Sequence, residues 1–155
     1  MLDSDKAVEL VKSEEFSRAS CFVEALALRN EVFMPEPMFV SWKKLLSNKL
    51  RSVELPTERE PTVQLEFYKC LRRCFSVLSD DMGMIACWNE ELKLKPDPDG
   101  LVQFCRKCLQ NGKKNLAVHR LKESLKTLQG KDAEKVSYCL YKLTRRPSKN
   151  RLQKG

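Results

Sequence analysis

Apolar side chains recur at steps of three and four along nearly the whole chain, and this rhythm limits what it can fold into. Ala7, Val8, Leu10 and Val11 form a first short stripe behind Ser4, a candidate helix N-cap. Phe16, Ala19, Phe22, Val23 and Leu26 form a second, and Phe39, Trp42, Leu45, Leu46 and Leu50 a third. Val63, Phe67, Cys70, Leu71, Cys74, Phe75 and Leu78 follow, with Thr62 as a candidate cap. Such spacing lines one face of a helix with 3.6 residues per turn. No run of four or more residues alternates as an exposed strand would.

The second half continues the pattern. Met84, Ile85, Ala86, Cys87, Trp88 and Leu92 suit a short buried helix that starts near Asp80 or Asp81. Leu101, Phe104, Cys105, Cys108 and Leu109 form the next stripe, then Leu116, Ala117, Leu121, Leu125 and Leu128 up to Gly130, then Ala133, Val136, Leu140 and Leu143. Pro35-Glu36-Pro37 and Pro96-Asp97-Pro98 stop helices, and Asn111-Gly112 makes a tight turn. The reading is all-α, about seven helices stacked as antiparallel hairpins in a degenerate α-solenoid or an irregular bundle. One domain is expected over residues 1–143, with a loop or linker near 52–61 and a basic, fraying tail over 144–155. The chain has 155 residues, long enough to bury a core without disulfide staples.

The chain also echoes itself. The two Pro-acid-Pro triplets lie 61 residues apart, each followed by an apolar pair, an aromatic residue and an Asn (Asn48, Asn111). Half that separation is close to the ~34-residue period of helix-hairpin arrays. Lys95-Pro96-Asp97-Pro98-Asp99 leads into Leu101-Val102-Gln103-Phe104-Cys105, Gly112-Lys113 makes a turn, Ala117 sits in the second helix and Gly130 closes the segment. These 35 or so residues resemble a pentatricopeptide-type or tetratricopeptide-type hairpin, and Ala19 with Pro35 and Pro37 resembles the second half of another. The resemblance implies a superhelical array that binds single-stranded RNA, or a surface that binds peptides. Residues 52–92 do not fit the period, so no base-reading positions are assigned.

Charge is unevenly distributed. Residues 101–155 hold fifteen Lys or Arg against three acids, a net of +12, whereas residues 1–100 hold fourteen against eighteen, a net of −4; the whole chain is +8. A segment this basic attracts polyanions. Lys113, Lys114, Arg120, Lys142, Arg145 and Arg146 are the expected contacts for nucleic-acid phosphates or an acidic partner. Tyr138 and Tyr141 are the aromatics in the basic part that can stack on bases.

Catalysis is not expected. His119 is the sole histidine, and the chain lacks a Gly-rich phosphate loop, an H-E-x-x-H pair and a Ser elbow. Cys70-x-x-x-Cys74 and Cys105-x-x-Cys108 each have the spacing of half a zinc site. Their apolar helical setting favours core cysteines that act as small hydrophobes, with a metal site as the less favoured alternative. No cofactor is expected. Seven cysteines in a chain able to build its own core point to reduced thiols, hence an intracellular place, nucleus or cytoplasm. The acidic N-terminus lacks the features of a signal peptide, and no apolar run approaches the ~20 residues of a membrane span.

The expected function is therefore a non-enzymatic binding module within a multi-subunit assembly. Its basic part would contact nucleic acid, RNA ahead of DNA. The alternative is a protein–protein adaptor or scaffold that takes a partner helix or an acidic peptide, anchored by Phe39, Trp42 or Trp88 where these are exposed.

Overall fold

Each stripe of apolar residues buries itself by forming a helix. The computed structural model describes residues 3–55 and 58–145, and within them it has eight helices and no strand. These are α1 (Asp3–Lys12), α2 (Phe16–Phe33), α3 (Glu36–Arg51), α4 (Pro61–Val77), α5 (Asp81–Leu94), α6 (Pro98–Gln110), α7 (Lys114–Leu125) and α8 (Gly130–Thr144). Proline opens three of them, in the first turn of α3, α4 and α6, where its missing N–H costs nothing. The two Pro-acid-Pro triplets therefore end one helix and begin the next.

Several helix ends differ from the sequence expectation. Ser4 lies inside α1 and is buried, accepting a hydrogen bond from Lys49 Nζ at 3.4 Å. Thr62 does not cap α4, which starts one residue earlier at Pro61 with Glu60 at the cap position. Gly130 does not close α7, which ends at Leu125; with φ +62° it opens α8. Gly112, at φ +69°, makes the expected left-handed turn, and Lys113 N–H reaches back to the Cys108 carbonyl at 2.8 Å. Glu14 and Ser79 take the same conformation without being glycine, at φ 61° and 59°, directly after α1 and α4.

The helices group into two compact units, residues 1–90 and 91–155. In the first, α2 packs on α1, α3 and α4. Its core gathers Ala7, Leu10 and Val11 from α1, Ala19 and Val23 from α2, Leu46 and Leu50 from α3, and Phe67, Leu71, Cys74 and Phe75 from α4. Burying each large side chain contributes roughly 1.5–3 kcal/mol. Ion pairs tie the helix ends together: Arg29 to Asp3 at 2.7 Å, Lys49 to Asp5 at 2.9 Å and Arg59 to Glu14. All are at least partly exposed, so each contributes at most about 1 kcal/mol.

In the second unit α6, α7 and α8 pack pairwise. Leu101, Phe104, Cys105 and Cys108 of α6, Ala117 and Leu121 of α7, and Val136 and Leu143 of α8 are buried. Leu109 is not part of this stripe: it is 45% exposed, and the buried line ends at Cys108. The Asp97 side chain caps α6 by accepting the Gly100 N–H at 3.0 Å.

Candidate nucleic-acid interface

The α8 sequence divides its residues by face. Val136 and Leu143 point inward, Cys139 and Leu140 are half-buried, and Lys131, Lys135, Tyr138, Lys142 and Arg145 follow one another at steps of four, three, four and three on the outer face. Tyr141 lies beside that line. All six are exposed, Tyr138 by 64% and Tyr141 by 58%.

Two cations sit over the two rings. Lys142 Nζ lies 5.6 Å from the Tyr138 centroid and the Arg145 guanidinium 5.4 Å from that of Tyr141. Each contact is worth about 0.5–1 kcal/mol at an exposed site, enough to bias the side chains toward a common surface. Glu134 is an exposed carboxylate on this same face, one turn before Tyr138, and Lys135 is paired with Asp99 of α6.

Short connections place the remaining cations. The α6–α7 and α7–α8 links are only three and four residues long, which makes neighbouring helices antiparallel. The Asp99–Lys135 pair and the hydrogen bond between the Cys105 and Cys139 thiols then set α6 and α8 side by side, running the same way. The α6–α7 turn, with exposed Lys113 and half-buried Lys114, therefore lies at the same end of the unit as Lys142 and Arg145. Exposed Arg106 joins this end, as its charge acts on Cys139 together with that of Lys142.

Arg120 does not join them. It is 6% exposed, buried on the inner side of α7 near Ala117, Leu121 and Ser124. It sits three residues from Ala117, so it shares the helix face that turns inward. Arg146 lies outside the described residues. Lys131 and Lys135 were absent from the sequence expectation, although the four-three-four-three spacing from Lys131 to Arg145 carries their signal.

Five of the seven thiols are buried, and Cys21 on α2 is exposed. Cys70 and Cys74 are buried in the first unit, Cys105 and Cys108 in the second. Among the described residues no group of three or more His, Cys, Asp or Glu side chains is placed to hold a metal ion. Cys139 is half-buried on α8. The Cys105 thiol donates to it, and the charges of Lys142 and Arg106 add to the effect, lowering the Cys139 thiol to about 7 against the opposing cost of burial. The same hydrogen bond, together with burial, pushes Cys105 up.

Among the described residues no helix is long and apolar enough to cross a membrane. Compared with the models of known families, with curated proteins and with solved structures, the chain matches none.

Proposed function

We propose that the chain is a non-enzymatic binding module whose α8 face contacts single-stranded nucleic acid, RNA ahead of DNA, within a larger assembly. One observation carries this reading: two exposed tyrosines, each beneath a cation, on the outer face of the most basic part of the chain. Tyrosine rings stack on bases without regard to sequence, and neighbouring Lys and Arg contact phosphates. The hairpin over residues 95–130 that resembles pentatricopeptide units adds to the preference for RNA. The seven thiols, all free of disulfides, support an intracellular place, nucleus or cytoplasm.

Fluorescence anisotropy with labelled oligouridine and oligothymidine tests the reading. Binding should weaken by about tenfold in Tyr138→Ala, in keeping with roughly 1–3 kcal/mol per stacked base, and vanish in Lys142→Glu/Arg145→Glu. Equal binding by the unmodified chain and by both variants would refute it.

A second reading, a protein–protein adaptor, is favoured by a different observation in the first unit. Leu28, Val32 and Phe33 of α2 are 68%, 74% and 80% exposed, and Met38 at the start of α3 is 57% exposed. Phe39 and Trp42, expected as anchors, are half-buried and stacked on each other at 6.1 Å; Trp88 is half-buried beneath Arg72. The anchors of this reading are thus the exposed α2 residues.

A further inference from the structure

Helix α2 is apolar on two faces. Ala19, Val23, Leu26 and Ala27 are buried. Cys21, Ala25, Leu28 and Val32 fall at steps of four, three and four and are all exposed. Those steps bring the four residues to within about 60° of one another around the helix, so they form one straight stripe about three turns long. Beside Leu28 the stripe opens into a shallow groove of about 310 Å³ lined by Glu24, Leu28, Glu31, Phe39, Lys43 and Val77.

The charges along this groove are not balanced. Glu24 and Glu31 flank one side of the stripe, seven residues or about 10 Å apart, and among the described residues neither takes part in an ion pair. The nearby cations are engaged. Arg18 is held by Glu15 and Arg29 by Asp3. Lys43 Nζ lies 4.5 Å from the Phe39 centroid and donates to Ser79 Oγ at 3.3 Å. Two carboxylates thus face solvent beside an exposed apolar stripe.

We infer that this face docks an amphipathic helix of a partner protein that carries Lys or Arg two turns apart, next to its apolar stripe. The inference rests on the adaptor reading and fixes the partner's charge, which is basic rather than acidic. The partner's leucines would cover Leu28 and Val32, and its cations would meet Glu24 and Glu31. The match of charges sets register and orientation, while the apolar contact supplies most of the affinity.

The test uses the full chain and two labelled helical peptides of about 18 residues with the same leucine stripe, one bearing Lys and one Glu at seven-residue spacing. Anisotropy titrations should show the Lys peptide binding about tenfold tighter than the Glu peptide, although the chain as a whole is cationic. Val32→Asp, and independently Leu28→Asp, should weaken the Lys peptide at least about tenfold with an unchanged thermal melt, both sites being exposed. Glu24→Lys/Glu31→Lys should reverse the preference. If neither peptide binds, or if both Asp variants bind like the unmodified chain, the docking face is wrong. If the Glu peptide binds as well as the Lys peptide, the face stands and the assigned charge is wrong. If sedimentation shows a dimer that Val32→Asp dissolves, the occupant is a second copy of the chain and the proposal fails.

Discussion

Gly83 packs against Phe75 with no room for a side chain: a Cβ on residue 83 would stand 2.9 Å from the phenyl ring and 2.8 Å from a carboxylate oxygen of Asp80. Phe75 is 2% exposed, so its ring cannot step aside, and Asp80 is fixed by Arg51 and by the Gly83 N–H at 3.0 Å. Gly83→Val should therefore destabilise the first unit by about 1–3 kcal/mol, the usual cost of overpacking, despite the lower conformational entropy of its unfolded chain. Urea unfolding measures this; a gain in stability would show that α5 can shift away from α4.

Ser79 holds a left-handed conformation after α4 and closes the helix by donating its N–H to the Ser76 carbonyl at 3.2 Å, while Asp80 N–H reaches Phe75 at 2.8 Å. Glycine takes this conformation without the Cβ clash. Ser79→Gly should raise stability by about 0.5–1 kcal/mol, somewhat reduced by losing the contact with Lys43. Glu14→Gly should gain less, because Glu14 also holds Arg59. Thermal melts of the two variants give the comparison.

Cys139 should be the accessible thiol whose alkylation saturates at the lowest pH; Cys70, held down by its hydrogen bond with Cys74, is buried. Lowered to about 7, it is mostly thiolate at pH 8, where a thiol with the ordinary value of 9.0 is still mostly protonated. Its iodoacetamide rate should rise through pH 7 and level off near pH 8, whereas Cys105, pushed up and buried, should stay inert. Lys142→Ala removes one of the supporting charges and should move the midpoint to higher pH. Mass spectrometry of peptides alkylated across a pH series reads both effects.

Binding of single-stranded RNA should depend steeply on salt, since each phosphate contact releases a counterion. Lys142→Ala/Arg145→Ala should reduce the slope of log K against log salt by about 1.4, with ~0.7 per contact on a single strand. Tyr138→Ala should weaken binding and leave the slope unchanged, because stacking releases no counterion. A slope unaffected by the loss of both cations would move the phosphate contacts off α8.

The apolar rhythm of the sequence determined the all-helical class and the position of nearly every helix, because a stripe at steps of three and four has one efficient way to leave water. It also marked Tyr138, Tyr141, Lys142 and Arg145, since a helix that buries Val136 and Leu143 must turn those four outward. Helix ends were less legible: Pro61 took the start that Thr62 suggested, because a proline ring already has the φ that a first turn needs. Only the tertiary structure decided between faces of equal merit. On α2, Ala19-Val23-Leu26 and Cys21-Ala25-Leu28-Val32 are both apolar at helical spacing; packing on α1, α3 and α4 buried the first and left the second in solvent. Arg120 turned inward for the same reason, its charge notwithstanding. Periodicity fixes which residues share a face, but which face is covered depends on neighbours that arrive from elsewhere in the chain.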